Sequence, residues 1–139
     1  MFIKSIVSAL LVSVFLLSCA PVKKAGHPGR AEKVELVKSA DDSTGYELII
    51  LDPGFQPWFD MNYRPIWYYS NDFLAAKNYQ YVVAWNSRVH DPRTLNNAAD
   101  SPFMLEIDYR PTIDYGIELN YKLYYYFKYI EATWGKILP

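Results

Sequence analysis

The stretch DYGIELNYKLYYYFKYIEATWG, residues 114–135, decides the fold. Leu119, Leu123, Tyr126, Phe127, Ile130 and Trp134 recur at helical spacing and fall within an arc of about 100°, the width of a core-facing stripe. Asp114 can cap the start of this helix, and Gly135 ends it. Residues 117–123 also alternate as a strand would, but the helical pattern runs on much further. The opposite side carries Ile117, Tyr121 and Tyr124 beside Lys128 and Glu131. A helix apolar on two sides is either sandwiched between layers or pressed against a partner. A partner there requires Tyr121 and Tyr124 to be exposed.

Working back along the chain, Ser70 can cap a second helix with Asp72 in its first turn. Leu74, Tyr81, Val82, Trp85 and Val89 form its stripe, and Asp91-Pro92 stops it, because a residue before proline avoids the helical region. Tyr79 to Trp85 is also rich in strand formers; the continuation to Val89 favours a helix. Arg93 to Ser101 reads as a polar loop, and Phe103 to Tyr109 as a strand closed by Arg110-Pro111. Two strands upstream, Val34–Val37 and Tyr46–Leu51, flank a turn-rich Ala40 to Gly45 and can pair as a hairpin. The expected architecture is α+β, a small single domain over 34–139 with two or three short strands and two main helices packed on them.

The beginning of the chain indicates an address. One positive charge at Lys4 precedes an apolar run from Ile6 to Leu17, too short for a span of about 20 residues. Leu16-Leu17-Ser18-Cys19 follows the lipobox plan, and Cys19 is the single cysteine of the chain. The expectation is a signal peptide over 1–18, cleavage before Cys19, and three acyl chains there, where two already hold a protein stably on a membrane. Ala20 stands where an Asp would favour inner-membrane retention, so the expected location is the outer membrane of a bacterial envelope. Residues 19–33, Lys-, Gly- and Pro-bearing, read as a tether with His27 as a solvated residue in it.

Composition narrows the function classes. Of 139 residues 17% are aromatic, with 13 Tyr, 7 Phe and 4 Trp, a surplus that suits interfaces as well as cores. The formal net charge of −1, more negative by one once Lys4 is lost, gives no electrostatic case for nucleic acid. With Cys19 lipidated no disulfide can form, so stability rests on packing. His90 is the one histidine outside the tether and has no ligand spacing around it, so no metal or other cofactor is implied. There is no Gly-x-Ser-x-Gly elbow and no phosphate-binding glycine loop, and nothing in sequence brings Ser87, Ser101 and His90 together. Asp52 belongs to a turn, Asp60 to a loop, Asp114 to a cap, and Glu106 and Asp108 to the wet face of a strand, so no carboxylate pair stands out.

One segment holds the material of a binding site. Phe55 to Tyr69 shows no lasting period yet carries Phe55, Trp58, Phe59, Tyr63, Trp67, Tyr68 and Tyr69 among Asp60, Asn62 and Arg64. Rings with polar neighbours suit a sugar or peptide ligand; equally, large side chains pin a long segment to its domain.

Tyr46 to Phe55 with Trp58-Phe59, Tyr63-Arg64-Pro65, Trp85-Asn86 with Arg88-Val89, and Asp114-Tyr115-Gly116 with Asn120 to Leu123 together resemble an uncharacterised family of short bacterial lipoproteins. The resemblance spans roughly residues 46–130 and implies a single compact domain; it assigns no catalytic or binding residue. The reading is a lipid-anchored, non-catalytic interaction or structural protein. It would contact another envelope protein through Tyr121 and Tyr124 and through Trp58, Tyr63, Arg64, Trp67 and Tyr68. The alternative is a glycan- or peptide-binding module using the 55–69 segment.

Overall fold

The computed structural model describes residues 34–39, 45–95 and 101–138. Its elements are β1 (Val34–Lys38), β2 (Tyr46–Ile50), α1 (Phe55–Asn62), a 3-10 turn (Ile66–Tyr68), α2 (Asn71–Val89), the short helical turn α3 (Pro92–Leu95) and α4 (Gly116–Trp134). The expected signal peptide, Cys19, the expected tether and the turn-rich residues 40–44 lie outside the described residues, as does 96–100.

α4 is the axis of the domain. It buries Leu119, Asn120, Tyr121, Leu123, Tyr125, Tyr126, Phe127, Tyr129 and Ile130, and it touches α1, the 3-10 turn, α2 and β2. The helix is therefore sandwiched between layers. Its start differs from expectation by one step: Tyr115 is the cap residue and makes no side-chain capping bond. Asp114 acts from just outside, its Oδ1 accepting the Gly116 N–H at 3.0 Å. Gly116 has φ +76°, a conformation open chiefly to glycine.

α2 lies along α4 and begins as its sequence foretells, with Ser70 Oγ accepting the Phe73 N–H at 3.2 Å. Leu74, Tyr81, Val82 and Trp85 are buried on it. Tyr81 stacks on Phe127 with centroids 4.9 Å apart. A polar seam sets the register of the pair. The amide of Asn78 donates to the Asn120 carbonyl at 2.8 Å, Tyr109 donates to Asn120 Oδ1 at 2.8 Å, and Asn120 donates to Asn71 Oδ1 at 2.8 Å. Asn78 and Asn120 are almost fully buried, so each bond avoids the penalty of a stranded polar group.

β1 and β2 form an antiparallel hairpin with Val34 opposite Ile50 and Leu36 opposite Leu48. The period of two turns Val34, Leu36, Tyr46, Leu48 and Ile50 toward the core and leaves Glu47 and Ile49 exposed.

Three expectations are corrected. Residues 103–110 form no strand. They pass α2 as irregular chain, and side chains of α2 take bonds that a neighbouring strand would. Asn86 accepts from Ile107 N–H at 3.0 Å and donates to its carbonyl at 3.1 Å, while Trp85 Nε1 donates to the Leu105 carbonyl at 2.9 Å. The 55–69 segment is not irregular, since it holds α1 and the 3-10 turn. Pro57 falls in the first turn of α1, where its missing N–H would have no helical partner anyway. The stretch after Asp91 opens as α3 rather than as a loop.

α1 is placed by a tight corner. Asp52 Oδ1 accepts the Gly54 N–H at 2.7 Å and its carbonyl accepts Phe55 N–H at 3.2 Å. Gly54 is required by close approach: an added Cβ would overlap the Tyr129 hydroxyl oxygen of α4.

Candidate functional site: an aromatic, cationic groove

Between α1, the start of α2 and the last turns of α4 lies an open groove of about 730 Å3. Its lining includes Trp58 and Asn62 from α1, Arg64 and Tyr68 from the connection, Tyr69 and Phe73 leading into α2, and Tyr124, Tyr125, Lys128, Glu131 and Lys136 from α4 and beyond.

The Tyr63-Arg64-Pro65 triplet is the hinge of this wall. A residue before proline is held extended, so its peptide groups cannot join a helix. Here α4 supplies the partners: Tyr125 Oη accepts the Arg64 N–H at 2.7 Å, and Tyr121 Oη donates to the Arg64 carbonyl. Tyr69 shares a hydrogen bond with Tyr125, 3.0 Å between oxygens. The main chain of Arg64 is thereby clamped while its guanidinium is left to lie over the Tyr68 ring, 5.0 Å from the centroid.

The electrostatics are lopsided. Arg64, Lys128 and Lys136 face a single carboxylate, Glu131. That carboxylate is already engaged by Lys128 at 2.7 Å, Tyr81 Oη at 2.9 Å and the Ile137 N–H at 3.3 Å. Burial pushes Glu131 up, but the bonds from Lys128 and Tyr81 outweigh it and hold the group below the usual carboxylate range. Burial pushes the Tyr69 and Tyr124 phenols above their ordinary value, Tyr69 further through its bond to Tyr125, while the Arg64 charge pulls both the other way. At neutral pH the groove thus presents protonated phenols, a tied carboxylate and cations, a set suited to stacking and anion pairing.

The residues singled out from sequence part company. Trp58, Arg64, Tyr68 and Tyr124 meet in the groove. Trp67 stands outside its lining at 79% exposure, and Tyr63 stacks on Phe59 at the rim of α1, half open to solvent. Tyr121 is buried, 8% exposed, with burial holding its phenol at about 12. It is an internal strut, so it offers no partner surface; Tyr124 is half-buried and serves the groove instead. Tyr69, the last ring of the 55–69 segment, also lines the groove, whereas sequence reasoning missed Phe73, Tyr125 and Lys136. The spacing of Tyr124, Lys128 and Ala132, four residues apart on one helical stripe, is the signal that marks the α4 wall.

Other sites carry less. A smaller cleft of about 380 Å3 holds Asp108 and Arg110, which pair with each other at 3.1 Å. His90 meets Glu106 at 2.6 Å on the open surface. Among the described residues no three metal-binding side chains gather, and no helix is long and apolar enough to cross a membrane.

Fold and groove define a small single-domain α+β protein built around one aromatic helix. The chain belongs to the family of unknown function DUF6146, which matches it over residues 7–138. No curated protein and no solved structure matches it significantly.

Proposed function

We propose that this protein is a non-catalytic binding component of the bacterial cell envelope, tethered by an acylated Cys19 at the outer membrane, and that it contacts another envelope protein through the corner formed by α1 and the 3-10 turn. One observation carries the reading. The domain packs most of its rings inward yet leaves Met61, near the end of α1, and Trp67, in the 3-10 turn, each 79% exposed, with Tyr63 and Tyr68 of the same short stretch of chain more than half exposed. Exposed aromatics clustered on a rigid support are the usual anchors of protein interfaces. The clamp on Arg64 by Tyr121 and Tyr125 supplies that rigidity.

A photo-crosslinking side chain at position 67 of the full chain in its own membrane is expected to give one discrete adduct. The same group at Val83, an exposed site on α2, is expected to give none. Equal adducts, or none at either position, would overturn the reading. Labelled palmitate should enter the wild-type chain and not Cys19→Ser, and label in both would remove the anchor. A second reading, a small ligand held in the groove, is favoured by the unmatched cations on its walls.

A further inference from the structure

We propose that the groove is a binding site for an acidic oligosaccharide, with the sugar's carboxylate paired to Arg64 and its rings laid against Trp58 and Tyr68. The inference rests on the second reading above and gives the ligand its chemistry. A cavity of about 730 Å3 falls within the range of small-ligand sites, roughly 300–1,000 Å3, and is short for a protein docking surface. Its walls pair ring faces with a few fixed polar groups, as such sites do.

The charge argues for an anion. Glu131 is spent on Lys128 and Tyr81, and neither Arg64 nor Lys136 makes an ion pair among the described residues. Arg64 is also pre-set: its backbone is clamped at both N–H and carbonyl, and its guanidinium carbon lies over the Tyr68 ring, 5.0 Å from the centroid, with no carboxylate among the described residues paired to it, so a ligand carboxylate can take a two-pronged bond there. The chain's own tether is a poor occupant, since Lys23, Lys24, Arg30 and Lys33 outnumber Glu32 and repeat the sign of the groove. An acidic peptide would satisfy the cations alone. A uronic acid chain adds flat apolar ring faces for the aromatics and hydroxyls that can donate to the amide oxygen of Asn62, whose NH2 is held by the Trp58 carbonyl at 2.7 Å.

The test is titration of the full-length protein in non-ionic detergent with trigalacturonate, followed by calorimetry and tryptophan fluorescence. The expected result is saturable binding that weakens about tenfold in Arg64→Gln, as loss of a bidentate charged pair implies, and weakens again with salt. Neutral maltotriose should bind at least about tenfold more weakly, and Trp58→Phe should remove the fluorescence response. Arg64→Gln is expected to keep the fold, because only the backbone of Arg64 serves the structure; an unchanged circular dichroism spectrum checks this. Trigalacturonate that fails to bind, or binds no better than maltotriose, would overturn the proposal. So would equal affinity for a hexaglutamate peptide, which would mark a general anion site. A failure here with the position 67 adduct intact would remove the groove ligand and leave the protein-partner reading standing.

Discussion

Gly54→Ala tests how tightly α1 is seated on the central helix. Gly54 has φ −80° and ψ −22°, ordinary helical values that alanine adopts freely. On backbone grounds the change should therefore stabilise by about 0.4–1 kcal/mol, by restricting the unfolded chain. The neighbourhood reverses the sign. The new methyl would overlap the Tyr129 hydroxyl oxygen and lie 3.2 Å from Asp52 Oδ1. The oxygen stands at the end of a rigid ring that packs on Phe55 and Trp58, with centroids 5.9 and 5.6 Å away, so it cannot swing aside alone. Overpacking of this kind costs about 1–3 kcal/mol.

The decisive form is a double-mutant cycle with Tyr129→Phe. Removing the hydroxyl leaves ring carbon Cζ 3.4 Å from the methyl, an ordinary contact. Gly54→Ala should then cost only the few tenths of a kcal/mol set by the Asp52 contact, or become neutral. The expected coupling is about 1–2 kcal/mol, read from urea denaturation midpoints at constant slope. Any bond lost by Tyr129→Phe alone cancels in the cycle. An equal cost for Gly54→Ala in both backgrounds would refute the steric account, and stabilisation in the wild-type background would show that the corner has room to spare.

Other outcomes follow from the same geometry. Asn86→Leu removes the bonds to both backbone groups of the buried Ile107, so it should cost about 2–4 kcal/mol and speed hydrogen exchange at Ile107; a loss below about 0.5 kcal/mol would mean water replaces them. Glu131 has a folded pKa below its unfolded value, so its stabilisation is present above about pH 4.5 and lost as pH falls through the folded value. Glu131→Gln should therefore flatten the acid limb of stability against pH, and an unchanged limb would remove Glu131 from the account. At the alkaline end Tyr109 and Tyr121 are held at about 12, chiefly by burial. The stability they lend is complete below about pH 10 and drains as pH rises from there through the folded values. Phenolate absorbance should lag in the folded protein and jump on unfolding; normal titration of every tyrosine in the folded state would contradict their burial.

Much of the scaffold was legible because local and global signals agreed. Ser70 and the Leu74–Trp85 stripe specified α2, the long aromatic stripe and Gly135 specified α4, and β-branched residues ahead of the Asp52-Pro53-Gly54 turn specified β2. Phe103 to Tyr109 misled because alternation reports an extended chain with one face buried, and it carries no information about what satisfies the backbone. Here the partners are the side chains of Trp85 and Asn86, far off in sequence. α1 was hidden by Pro57 and by a helix only eight residues long, too short for a period to declare itself. Of the site, Trp58, Arg64, Tyr68, Tyr69 and Tyr124 could be chosen by type, whereas Tyr125 and Lys136 enter only through the way α4 crosses the α1–α2 connection.

Two Tyr-Arg-Pro triplets, Tyr63-Arg64-Pro65 and Tyr109-Arg110-Pro111, show what the aromatic surplus is for. In each, proline holds the arginine extended and orphans its N–H. In each, a tyrosine hydroxyl accepts that N–H: Tyr125 for Arg64 at 2.7 Å, and Tyr115, the cap of α4, for Arg110 at 2.9 Å. Each triplet's own tyrosine stacks on a neighbour, Tyr63 on Phe59 and Tyr109 on Tyr115. A tyrosine can do both jobs because its ring fills the core while its hydroxyl reaches past it to the backbone of a loop. The abundance of tyrosine is therefore first a means of tying irregular connections to one central helix. It follows that ring content alone could not locate the binding surface. The informative rings are the few released from that duty, Trp67 and Tyr68 on the connection that the Arg64 clamp holds still, and these carry the functional reading.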